Sequence, residues 1–156
     1  MIKKAKIKDG GIIINLVEVD SKANVEREMS VKSLDDRLHP DLTAAFSALE
    51  NTVRVILELP SNWRQGCMTI SGVSWAESEG TGVTGATITA QVALETCNSP
   101  LILNTPFLPF EQYNEGGEAP LMPQDGIDAL ENLRSGIEAF ISGKRAQASF
   151  DFMRAA

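Results

Sequence analysis

Ala86-Thr-Ile-Thr-Ala-Gln-Val-Ala-Leu94 decides the fold class: Ala86, Ile88, Ala90, Val92 and Leu94 are apolar at every second position, with Thr87, Thr89, Gln91 and Ala93 between them. A period of two puts alternate side chains on opposite faces of an extended chain. The stretch therefore predicts a strand buried on one face and wetted on the other, as in an antiparallel sheet. Gly80-Thr81-Gly82 supplies a turn before it, and Cys67–Ala76 reads as the strand on the far side of that turn. Met68 and Ile70 share one face of that strand, and a shift of phase near Gly72 brings Val73 and Trp75 to the same side. Downstream, Leu101–Asn104 is a further short strand, closed by Pro106.

Toward the N-terminus the same signals recur. Residues 3–8 and 12–19 predict a hairpin around Asp9-Gly10-Gly11, whose residues tolerate positive φ. Ala5 and Ile7 face one way while Lys4, Lys6 and Lys8 face the other, and residues 24–32 form a third strand with imperfect alternation. His39-Pro40-Asp41 then opens a helix, with Leu42, Phe46, Leu49, Val53, Ile56 and Leu57 as its buried stripe and Pro60 as its end. Residues 105–124 hold four of the seven prolines and show no period. Phe107, Pro109, Phe110 and Tyr113 are expected to pack down, leaving Asn114–Glu118 mobile. Asp125 is expected to cap a last helix that buries Ile127, Leu130, Ile137, Phe140 and Ile141 and stops at Gly143. The expected fold is α+β: a largely antiparallel sheet of about six strands in β-β-β-α-β-β-β-α order, two packed helices and a short tail. Residues 1–143 form one domain in this reading, and 144–156 the tail.

Composition excludes several classes. Apolar residues make up 43% and charged residues 22% of the 156, the balance of a globular chain that can bury a core. No apolar run approaches the roughly 20 residues that span a bilayer. Met-Ile-Lys-Lys-Ala-Lys-Ile-Lys8 has no apolar stretch behind its charges, so a cytoplasmic location is expected. Cys67 and Cys97 read as small core hydrophobes in a reducing compartment. His39 is the one histidine, so no zinc site is expected, and no cofactor either.

Charge is uneven along the chain. Residues 1–64 carry ten basic and ten acidic side chains, whereas residues 65–133 carry nine acidic and no basic ones. That middle section repels a phosphate backbone, which leaves the N-terminal part or the last helix and tail for any nucleic-acid contact. Lys4, Lys6 and Lys8 with Trp63 and Arg64 are the candidates for single-stranded DNA, which needs positive charge and stacking. The competing reading, favoured by the sequence, makes the lysine-bearing strand a protected sheet edge.

Other motifs fail on context. Gly80-Thr-Gly82-Val-Thr-Gly85 matches the dinucleotide fingerprint, but a period-two strand follows where a helix is required. Gly72-Val-Ser74-Trp-Ala76 lacks the last glycine of a nucleophile elbow, and His39 lies upstream, against the chain order of that fold. The acidic residues of 111–118 fit no calcium loop. No enzyme activity is expected.

In the tail, Gln147, Phe150 and Phe152 resemble the Gln-x-x-aliphatic-x-Phe hexapeptide with which bacterial replication proteins bind the sliding clamp. Ala148 and Phe150 stand where that motif favours leucine. An extended peptide would present both rings to a partner's pocket; the alternative is that they fold back on the domain. His39-Pro40-Asp41, Ile70-Ser-Gly-Val-Ser-Trp75, Gly85-Ala-Thr-Ile-Thr-Ala90, Ser99-Pro-Leu-Ile-Leu-Asn-Thr-Pro106 and Gly143-Lys-Arg-Ala-Gln147 together resemble a family of small bacteriophage and prophage proteins. The resemblance covers most of the chain and brings no site residues to carry over. It implies expression in a bacterial host among replication and recombination genes. The expectation is thus a non-enzymatic accessory protein of phage DNA replication or recombination, with DNA and a host clamp as its partners. The alternatives are an anti-defence protein that captures a host factor or signalling nucleotide, or a homo-oligomeric structural protein.

Overall fold

In the computed structural model, residues 1–8, 11–33, 38–77, 82–112, 117 and 120–143 are described. Ten elements follow in order: β1 (Ile2–Lys8), β2 (Gly11–Asp20), β3 (Val25–Ser33), α1 (Pro40–Ser47), α2 (Glu50–Ile56), β4 (Met68–Glu77), β5 (Thr84–Val92), β6 (Leu101–Asn104), β7 (Leu108–Pro109) and α3 (Gln124–Ile141). The α+β class, the antiparallel sheet and the element order are as the sequence predicts. The tail 144–156, with Gln147, Phe150 and Phe152, lies outside the described residues, as do the turn residues 9–10 and 78–81.

All strand pairs are antiparallel, in the spatial order β3-β2-β1-β4-β5-β6. Two local meanders therefore join through β1 and β4, with Ala5 opposite Val73. The expected phase shift in β4 is present: the register slips between Ile70 and Gly72, so Ile70, Val73 and Trp75 are all buried. An extra residue at that point turns both halves of the strand to the same side.

Helices cover one face only. Ala86, Ile88, Ala90 and Val92 of β5 are fully buried and share a core with Leu42, Phe46, Leu49 and Val53 below them and with Leu130, Leu133, Ile137 and Phe140 of α3. The first predicted helix is broken: Leu49 donates to the Phe46 carbonyl, a tightened three-residue turn that separates α1 from α2. α2 ends at Ile56 with Leu57 as its cap, before Pro60, because Glu58 takes the left-handed conformation (φ 56°). Buried Arg54 ties that end down, donating to Glu50 Oε1 and to the carbonyls of Pro60 and Trp63. At α3, Pro123 occupies the cap position with no side-chain bond, so Asp125 lies inside the first turn, where its charge suits the helix dipole. Ile141, expected in the buried stripe, is 37% exposed, and Leu133, which the sequence reading left out, is buried in the stripe.

Part of residues 105–124 is not structureless. Thr105 donates its amide to the Ile88 carbonyl and accepts the Ile88 amide at 2.9 Å through Oγ1, and Phe110 donates to the Thr84 carbonyl. The chain thus continues along β5 as β7 after a slip of one residue. Gly85 is required beneath it, since a Cβ there would meet the Phe107 ring and lie 2.5 Å from the Leu108 carbonyl oxygen. Phe110 packs on the core, whereas Phe107 stays 39% exposed.

Thr105→Val keeps the shape but leaves the buried Ile88 amide without its acceptor. We expect a loss of about 1–3 kcal/mol in urea unfolding, with Thr105→Ser close to the parent.

Candidate functional site

The lysines of β1 do not guard an edge. β1 lies between β2 and β4, so the protected-edge reading of Lys4, Lys6 and Lys8 is corrected by strand order: among the described residues the sheet ends at β3 on one side and at β6 and β7 on the other. Sequence could not show this, because the β1–β4 pairing links residues far apart in the chain.

Alternation turns Lys4, Lys6 and Lys8 away from the helices, onto the face that no described helix covers. Two registered rows cross that face. In one, Lys32, Ile13, Lys6, Gly72, Thr89 and Asn104 follow one another over six strands. In the other, Ser30, Asn15, Lys4, Ser74 and Thr87 do so over five. Thr89 Oγ1 and Asn104 Oδ1 are 2.8 Å apart, which holds the end of the first row. On this face β1, β4, β5 and β6 carry no carboxylate at any registered position. Glu26 and Glu28 come only at the outermost strand.

A register slip between Ile2 and Lys4 bulges Lys3 out of the ladder. Beside it lies a hollow of about 540 Å³, lined by polar residues that include Lys3, Lys4, Asn15, Ser74 and the carboxylate-bearing Glu28, and by apolar ones from β2 and β3. Trp75 also lines it; the residue is only 3% exposed, and its buried Nε1 has no hydrogen-bond partner among the described residues. Polar groups on a sheet face beside ammonium groups can hold an extended polyanion by hydrogen bonds and charge together.

Trp63 and Arg64 are not part of this surface. Both lie in the turn before β4. Trp63 packs against the helix-covered core, and Arg64 (φ 47°) pairs with Glu95 at 3.7 Å. The stacking partner expected from the sequence is therefore absent from the lysine face among the described residues. Asn15, Ser74, Thr87, Thr89 and Asn104 were missed as site residues, although the alternation in Ala86–Leu94 already sets two of them opposite the core.

The remaining motifs are dispersed. Ser74 stands mid-strand, while His39 caps α1 by accepting from the Asp41 amide through Nδ1. Gly85 lies inside β5, so the glycine fingerprint opens no helix. Cys67 is half-buried against the core but Cys97 is exposed, which corrects its assignment to the core; both thiols are free. Among the described residues no group of three or more His, Cys, Asp or Glu could hold a metal, and no helix is long and apolar enough to cross a membrane. No family model matches the chain, nor does any curated protein or solved structure.

Lys4 and Lys6 are exposed and form no ion pair among the described residues. Replacing both with Gln should change stability by no more than about 0.5 kcal/mol. A larger loss in thermal melting would show that they support the sheet itself.

Proposed function

We propose that this chain is a non-enzymatic accessory protein of bacteriophage DNA replication or recombination, which lays single-stranded DNA across the uncovered face of its sheet. One observation carries the reading: Lys4, Lys6 and Lys8 stand on an interior strand, on a polar face where the two neighbouring strands, β2 and β4, place no carboxylate at a ladder position. The described acidic residues of the middle section lie off the ladder positions of this face, Glu77 ending β4 on the same side of the strand as Trp75. Asp125, Asp128 and Glu131 belong to α3, and Glu95 and Glu111 to loops. Contact through charge and hydrogen bonds, without stacked rings, favours affinity with little preference for base sequence. The phage setting, and with it the cytoplasm of a bacterial host, rests on the resemblance of the quoted sequence runs to small phage and prophage proteins. In the same reading, Gln147, Phe150 and Phe152 tether the protein to the host's sliding clamp.

A mobility shift or anisotropy titration with a labelled single-stranded oligonucleotide tests the face. Each phosphate contact contributes a slope of about −0.7 in log K against log salt. Lys4→Gln/Lys6→Gln/Lys8→Gln should therefore lower the slope by about 2 and the affinity at least tenfold. Equal binding by parent and triple variant would overturn the reading. For the tether, purified clamp should retain the full chain and release a chain truncated after Lys144; equal retention, or none by either, removes it.

A further inference from the structure

β3 ends the sheet on one side, and among the described residues no strand pairs with its outer edge. Its backbone orientation follows from β2. Met1 and Val17 exchange both hydrogen bonds, at 2.7 and 2.8 Å, so the polar groups of Val17 point toward β1. Alternation then aims those of Leu16 and Glu18 at β3, where they meet Met29 and Arg27. Glu28, Ser30 and Lys32 are left with amides and carbonyls directed at the open edge.

We infer that this edge pairs with the same edge of a second copy, antiparallel about a two-fold axis at Ser30. The side chains of β3 are self-complementary in that register and in few others. Glu28 falls opposite Lys32 of the second copy, and Lys32 opposite its Glu28, so two opposite-charge pairs form. Met29, 40% exposed, falls opposite Val31 of the second copy on the other face, again twice. Within one chain neither Glu28 nor Lys32 has an ion-pair partner among the described residues. Shifting the axis to Glu28 would set that carboxylate against itself, and shifting it to Arg27 would do the same for Arg27 and bring Glu26 against Glu28. Charges on an edge strand ordinarily prevent pairing; here their spacing selects one partner, the chain itself.

Such a pair makes one sheet continuous through both copies. A two-fold axis perpendicular to the sheet puts both uncovered faces on the same side, with the two β1 lysine rows about 24 Å apart, five strand spacings. The inference stands on the edge alone, whatever the face binds.

Sedimentation equilibrium or light scattering on the full chain tests it, with circular dichroism to check folding. The parent should be a dimer that dissociates on dilution through the micromolar range. Glu28→Lys should weaken association at least tenfold, and adding Lys32→Glu to it should restore the dimer. Ser30→Pro removes an edge amide that no strand within the chain uses and should yield a folded monomer. A parent that stays monomeric up to roughly 0.5 mM, where even weak specific interfaces associate, overturns the inference. So does a dimer indifferent to Glu28→Lys, or a swapped variant that remains monomeric.

Discussion

The pairing of β1 with β4 makes one sheet of two local meanders. It sets Lys4 opposite Ser74, Ala5 opposite Val73 and Lys6 opposite Gly72, and it leaves Ala5 with no exposed surface. The fit is close: a Cβ on Gly72 would lie 3.2 Å from the Ala5 carbonyl oxygen. The helical layer depends on this seam, because Leu42, Phe46 and Val53 need strands from both halves to complete the core. An ordering contact between segments so distant in sequence must overcome a large loop-closure entropy, and it forms with the support of the α1–α2 stretch that packs over it.

Local physics was legible in the residues. The period of two in Ala86–Val92, the phase shift beside Gly72 and the stripe from Leu42 to Val53 each act over a few residues, and each is present. What escaped was decided at a distance. β7 carries Pro109, which the outer side of a sheet accepts because no ladder amide is needed there. The break at Ala48–Leu49 follows no helix-breaking residue. The strand order placed lysines that looked like edge guards in the middle of the sheet, and it put Trp63 against the core instead of beside them.

Charge shows the same division between sequence and space. Along the chain the acidic middle section surrounds the later strands. In the fold its described residues go to α3, to loops and, as Glu77, to the end of β4 on the side of Trp75, while the ladder positions of β4 and β5 on the uncovered face include Gly72, Ser74, Thr87, Thr89 and Gln91. Segment charge thus predicts the net field of the molecule but not the sign of either face. A chain of net charge −7 carries a face that is locally positive.

That face is also where the structure departs from what stability alone would select. An antiparallel sheet can leave one side to water, and threonine, serine and asparagine suit such a side. Three lysines at alternate positions of one interior strand do not, since they stand about 7 Å apart with no facing carboxylate on either neighbouring strand. A molecule already at −7 has no need of them for solubility, and an edge-guarding role is excluded by the strand order. Their mutual repulsion costs the folded state a little, and no ladder position of the neighbouring strands on that face offsets it. This is why the uncovered face, and not the glycine turn or Ser74, carries the functional reading.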